Sequence, residues 1–305
     1  MSPRIGIVGP GAIAELHVSA LVEAGAVIAA VAGPDRDQAT SLARGAAVYG
    51  TADELYGHPG LDAVVVASPH AFHADQTLAA LRAGLHVLCE IPVALTVRDA
   101  EAVARTARST GKHAAVAHTL RFCEPYRKAR ELAGDARHVV ARTLMLRQDD
   151  TGMRGRKRGW TDDVLWHHGA HTVDAALWLL DAGEAEVFGT TGPVWPGSGR
   201  PMDVGAVLRA PDGDLATIAL SYHARTAAKD LTIITETRTL HLRDGVLTDD
   251  RGRILADGGD RWEADGLARQ DRDFLDAITH GRRPGCTVDD VLPAMRILDR
   301  LGGPR

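Results

Sequence analysis

In the first third of the chain, apolar residues come in short unbroken runs, separated by segments whose apolar positions recur every three or four residues. Runs at 5–8 (IGIV), 27–32 (VIAAVA), 63–67 (AVVVA) and 86–89 (HVLC) read as strands, and 15–22, 38–44, 77–83 and 96–109 carry helical periodicity. A strand without polar alternation has no solvated face, so its regular exchange with helices predicts a parallel, doubly wound sheet covered on both sides. One more such strand is expected at 113–118, and the pattern changes near Phe122. From about residue 137 the strand-like runs lengthen and follow one another across turns such as Pro211-Asp212-Gly213 and Arg243-Asp244-Gly245, which predicts a largely antiparallel sheet. Helices at 266–280 and 288–301 end the chain.

The segment between the first strand and first helix reads Gly9-Pro10-Gly11-Ala12-Ile13-Ala14. In such a turn the first glycine permits the tight bend, the second lets the backbone approach a pyrophosphate, and a small third position lets helix and strand pack closely. The helix N-terminus then offers its N–H groups to phosphate. The expected fold class is therefore α/β: a Rossmann dinucleotide-binding domain over 1–121, then an α+β domain with an open, mainly antiparallel sheet over 122–305. The second domain is assigned to substrate binding and oligomerisation, with the last helix free to pack back on the first. Cofactor choice is expected after the second strand, where Gly33-Pro34-Asp35-Arg36 supplies a carboxylate for a ribose 2′-hydroxyl and an arginine for a 2′-phosphate. This leaves NADP and NAD both open, and Asp35 also suits a helix N-cap. Ser68, Pro69, His70 and His73 follow the 63–67 strand, at the edge where such sheets bind cofactors.

Composition narrows the partners. A net charge of −5 over 305 residues gives no basic face for nucleic acid. The short cluster Arg154, Arg156, Lys157 and Arg158 suits a small anionic ligand or a solvated loop. Three cysteines without a C-x-x-C pair argue against a disulfide framework or a thiolate metal site. With no signal-like N-terminus and no apolar run long enough for a membrane span, a reducing cytoplasm is the expected location.

Residues 160–174 read WTDDVLWHHGAHTVD. On a helix starting near Val164, His167, His171 and Asp174 share one face while His168 points elsewhere. A His-x-x-x-His pair without further ligands is a poor metal site, and none is expected. Removing a hydroxyl proton during hydride transfer needs a base that titrates near neutrality, which favours His171 as general base, His167 as its companion and Asp174 as an orienting group. Satisfied core histidines are the alternative.

The whole chain resembles the Gfo/Idh/MocA family of NAD(P)-dependent oxidoreductases. The family's Glu-Lys-Pro motif stands here as Glu90-Ile91-Pro92, and its Asp-x-x-x-His pair as His167-x-x-x-His171, so the usual lysine and aspartate are replaced. Those departures, with His118-Thr119-Leu120-Arg121-Phe122 and the long motif over 158–174, are shared by one branch of aromatic catabolism. In that branch a dicarboxylated cyclic hemiacetal is oxidised to a lactone, with NADP as the usual acceptor. The resemblance implies that Glu90 lies near the nicotinamide ribose, with Pro92 shaping the crossover behind it. Arg121, Arg147 and Arg158 are the expected carboxylate holders, since guanidinium pairs bidentately with planar anions. His118, His168 and Trp160 are further expected pocket residues. Leu120 and Cys123 depart from the branch, and the segment after the second strand lacks its Ser-Arg pair, which leaves the exact substrate open. A sugar, cyclitol or secondary-metabolite dehydrogenase, or a non-catalytic dinucleotide-binding regulator, are the competing readings. A homodimer or homotetramer through the second sheet is expected.

Overall fold

The computed structural model describes residues 2–149, 151 and 163–302. The chain divides into two compact units, one running to Thr119 and including Leu267–Val291, the other comprising Leu120–Gly266 and the residues from Leu292 onward.

In the first unit, β1 (Arg4–Val8), α1 (Ala12–Glu23), β2 (Val27–Ala32), α2 (Arg36–Ala43) and β3 (Ala47–Tyr49) are followed by α3 (Ala52–Tyr56), β4 (Ala63–Val66), α4 (His73–Arg82), β5 (His86–Cys89), α5 (Val97–Thr110) and β6 (Ala114–Val116). Among the described residues the strands form a sheet of order β3-β2-β1-β4-β5-β6, with every pair parallel. The unbroken apolar runs explain the double cover: all four residues of β4 are fully buried. Ala63 and Val65 share a core with Ile5, Ile7, Val31, Leu21 of α1 and Leu42 of α2. Phe274 and Leu275, from the helix after the second sheet, complete it. Short β3 and α3 carried too little apolar signal to be expected. α3 is nonetheless well started, because Thr51 and Glu54 form a reciprocal capping box.

The second unit holds α6 (Glu124–Leu132), β7 (Ala136–Leu146), α7 (Ala170–Leu180), β8 (Glu186–Thr191), a small ribbon of β9 (Val194–Trp195) and β10 (Arg200–Pro201), β11 (Asp203–Arg209), β12 (Leu215–Ser221), β13 (His223–Thr235), β14 (Thr239–Arg243), β15 (Val246–Asp249) and β16 (Ile254–Asp257). Its large sheet runs β16-β15-β14-β13-β7-β12-β11-β8, antiparallel except where β7 meets β12. Period-two alternation fixes its two faces. The row Leu208, Ala216, Val139, Ile233 and Leu240 is fully buried. The adjacent row Phe188, Val207, Thr217, Val140, Thr232 and His241 faces the other way, with Phe188 57% exposed. Helix α7 packs on β7 and β12, and α6 on β14 to β16.

Two terminal helices, α8 (Trp262–His280) and α9 (Val288–Gly302), follow. From Leu267 onward α8 belongs to the first unit, and the turn after it lies along β6, where Val116 N donates to Cys286 O at 3.1 Å. No helix among the described residues is long and apolar enough to cross a membrane.

Candidate active site

Each unit gathers its own group of chemically capable residues. In the first, the glycine turn, Ser68-Pro69-His70, and Glu90-Ile91-Pro92 follow β1, β4 and β5, so the parallel sheet brings them to one edge. Gly9 has φ +89°, and a Cβ there would lie 2.6 Å from the Ser68 backbone, so only glycine fits. Gly11 caps α1 without a side-chain bond, and a Cβ on it would meet nothing within 4 Å. That open space before a bare helix N-terminus suits a pyrophosphate. Asp35 caps α2, accepting from Gln38 N at 3.0 Å, and Arg36 beside it is exposed. The N-cap reading of Asp35 is the one this bond bears out.

His73 is not at the surface of this edge. It is fully buried, Nδ1 2.8 Å from Pro92 O and Nε2 2.7 Å from Ser68 O. Two carbonyls facing both ring nitrogens require a hydrogen on each, so the ring is an imidazolium. Burial works against that charge, but the Cys89 sulfur and the two carbonyls outweigh it and push the pKa up to about 9. His73 therefore shapes the edge by joining the loops after β4 and β5 and is closed off from a ligand, contrary to the expected cofactor contact. His70, partly exposed, lies edge-on to it at 5.4 Å. The peptide between Ile91 and Pro92 is cis, which turns the chain sharply behind Glu90. His118 is buried, with its N–H donating to Val116 O.

Glu90 has partners that were not foreseen. Its Oε1 lies 2.9 Å from Nε2 of His17 in α1, and Oε2 accepts from Ile91 N at 3.1 Å. The other nitrogen of His17 lies 2.8 Å from Oδ2 of Asp271 in α8. A readable signal existed: His17 and Asp271 each occupy a core position in an otherwise apolar helical stripe, with Ala14, Val18 and Leu21, and with Leu267, Phe274 and Leu275.

In the second unit the histidine segment departs from the single α-helical face. Leu165–Gly169 is a π-helical turn, with Gly169 N donating to Val164 O at 2.8 Å, and α7 starts only at Ala170. The wider turn re-aims the side chains. His167 and His168 lie with ring centroids 4.2 Å apart, and His168 Nδ1 is 2.7 Å from Tyr222 Oη, so His168 does not point elsewhere. Arg147 Nη1 donates to Tyr222 Oη at 3.1 Å and to His167 Nδ1 at 3.3 Å, with the guanidinium 5.2 Å over the Tyr222 ring. A guanidinium only donates, so His167 accepts at Nδ1 and carries its hydrogen on Nε2. Tyr222 directly follows β12 and gave no pattern by which to find it.

His171 sits in the first turn of α7, partly exposed. Asp174, one turn on, is 2% exposed and takes Arg121 in a fork, Nε to Oδ2 at 2.8 Å and Nη2 to Oδ1 at 2.7 Å. The fork bears on two expectations: Asp174, expected to orient His171, holds Arg121, and two donors of Arg121, expected to hold a substrate carboxylate, serve a protein carboxylate. Arg158 and Trp160 lie outside the described residues.

Comparison with known proteins places both units of the chain in known families. Residues 3–118 match the model of an oxidoreductase family with an NAD-binding Rossmann fold, and residues 127–252 match a bacterial oxidoreductase C-terminal domain. A 4-carboxy-2-hydroxymuconate-6-semialdehyde dehydrogenase of Sphingobium sp. is 33% identical over 98% of this chain and 97% of its own. Inositol 2-dehydrogenase 3 of Saccharopolyspora erythraea is 36% identical, over 59% of this chain and 54% of its own. The fold matches a UDP-N-acetylglucosamine 3-dehydrogenase from Acidithiobacillus ferrooxidans with a TM-score of 0.84, at 23% identity, covering 99% of this chain and 97% of that one.

Proposed function

The chain belongs to the Gfo/Idh/MocA family of oxidoreductases, as a nicotinamide-dinucleotide-dependent dehydrogenase acting on CH–OH groups, and from that premise we propose a carboxylated cyclic hemiacetal as its substrate. The compound is the hemiacetal of 4-carboxy-2-hydroxymuconate-6-semialdehyde or a close relative, and the product is the lactone 2-pyrone-4,6-dicarboxylate or its analogue. One observation carries the assignment: Arg147 is braced between Tyr222 and His167, a partly exposed guanidinium in a wall of imidazoles. Such a group suits a planar carboxylate. Similarity to the semialdehyde dehydrogenase extends over both units, whereas the inositol relative covers little more than half of the chain.

In this reading His171 takes the hydroxyl proton, and His167, with His168 beside it, offers its Nε2 hydrogen to a substrate oxygen. The Arg121–Asp174 pair holds the start of α7 rather than the substrate. Gly9, Gly11 and the N-terminus of α1 hold the dinucleotide phosphates, and the bound cofactor supplies the hydride acceptor. Lactone resonance lowers the demand on the base, which accommodates Ile91 in place of a lysine. NADP is the assigned acceptor with NAD as alternative, Arg36 and Asp35 favouring opposite answers. The open row of the second sheet is assigned to self-association.

Absorbance of reduced nicotinamide tests the assignment, with NADP and NAD supplied separately on fresh ring-cleavage product of protocatechuate. Rapid reduction is expected. Reduction only with cyclitols or sugars would move the chain to that branch of the family, and dinucleotide binding without turnover on any cyclic alcohol would make it a regulator.

A further inference from the structure

The buried row Asp271, His17 and Glu90 takes no part in the chemistry proposed above. His17 and Asp271 are fully buried, and Glu90 keeps 16% of its side chain exposed. Ionised carboxylates only accept, so each nitrogen of His17 carries a hydrogen and the ring is a cation between two anions. Burial opposes that charge, yet Asp271 and then Glu90 push the pKa up to about 10. His17, the Ile91 N–H and the charge on His73 hold the Glu90 carboxyl below its ordinary range despite burial.

Three buried charges are a costly way to join helices, since apolar side chains of similar volume usually pack as well or better. Their use should therefore lie at the end that reaches the surface. That end is Glu90, directly after β5. In a sheet of order β3-β2-β1-β4-β5-β6 a dinucleotide crosses the reversal between β1 and β4. Its adenosine half lies on the side of Asp35 and Arg36, after β2, so the nicotinamide half lies over β4 and β5.

We propose that His17 and Asp271 are positioning residues that hold the Glu90 carboxylate, as a hydrogen-bond acceptor, against the nicotinamide half of the bound dinucleotide. His17 lies in the helix whose N-terminus serves the phosphates, so one ring ties both halves of the cofactor site to a common frame. The inference rests on the dinucleotide binding of the reading above and is independent of the substrate assigned there.

Calorimetric titration of the full chain with NAD+ and with ADP, which lacks the nicotinamide half, tests it. His17→Gln is expected to weaken NAD+ at least ~10-fold, about one charge-assisted hydrogen bond, and to leave ADP within about twofold. Should that variant not fold, Asp271→Asn, which keeps shape and an acceptor, carries the same comparison. It adds a pH signature. The charged groups facing the imidazole are Asp271 from α8 and Glu90 after β5, with His73 of α4 acting on Glu90 from beyond. Wild-type NAD+ affinity should be level from about pH 6 to 9, whereas in Asp271→Asn it should fall as pH rises through the neutral range and His17 discharges. Equal weakening of NAD+ and ADP, or no change in either, would overturn the proposal. Because no substrate is present, a wrong substrate assignment leaves this result untouched.

Discussion

Arg121 and Asp174, 53 residues apart in sequence, meet fork to fork with both hydrogen bonds under 3 Å and only 10% and 2% of their side chains exposed. Removing one member strands the other charge out of water, which costs about 3–5 kcal/mol. Asp174→Asn should therefore lower the unfolding free energy by about 3 kcal/mol, read from urea unfolding midpoints. A loss below about 1 kcal/mol would mean that the pair is effectively solvated.

Alkaline pH should destabilise the fold through His73. Its pKa is raised from 6.5 to about 9, so the folded protein binds this proton more tightly than the unfolded chain. The stabilisation is complete below pH 6.5 and is lost as pH rises through about 9. His17, raised to about 10, extends the decline. Unfolding free energies between pH 7 and 9.5 should fall, and His73→Gln should flatten the curve; a level wild-type profile would count against the doubly bonded imidazolium.

The two glycines of the cofactor turn should respond differently to alanine. Gly9→Ala forces a side chain into φ +89° and against the Ser68 backbone, so it should cost about 1–3 kcal/mol of stability and abolish NAD+ binding. Gly11→Ala, at φ −81° and facing open space, should leave Tm nearly unchanged while weakening NAD+. Equal Tm losses in the two variants would refute the distinction.

Base and anion holder should separate in steady-state kinetics on the hemiacetal substrate. His171→Ala should lower kcat by ~10²–10⁴-fold. Tyr222→Phe, which releases one brace on Arg147, should raise KM by ~10-fold with a smaller change in kcat. Unchanged kcat in the first variant would remove His171 from the mechanism.

Light scattering should find a dimer or tetramer. Phe188→Glu combined with Val207→Glu, on neighbouring strands of the open row, should give monomers with the secondary structure kept. A wild-type monomer at micromolar concentration would exclude the open face as an interface.

Short-range pattern determined much of this protein. Unbroken apolar runs with helical spacers were enough for a parallel sheet in which β4 is buried on both faces, and successive strand-like runs joined by turns were enough for the second sheet. The glycine turn was legible because Gly9 answers a local backbone demand, and Asp35 as an N-cap because its partner Gln38 is three residues away. Pairing over long separations was decided only in the tertiary structure. Nothing local joins His17 to Asp271, 254 residues apart, or Tyr222 to His168, 54 residues apart. The histidine segment shows why such roles resist a sequence reading. A five-residue π turn re-aims each side chain after it, and that turn is accommodated by Gly169, whose Cβ would come within 2.9 Å of Leu220 on a distant strand. Periodicity reports which residues share a face of a regular element; which charges then find one another depends on how those faces are packed.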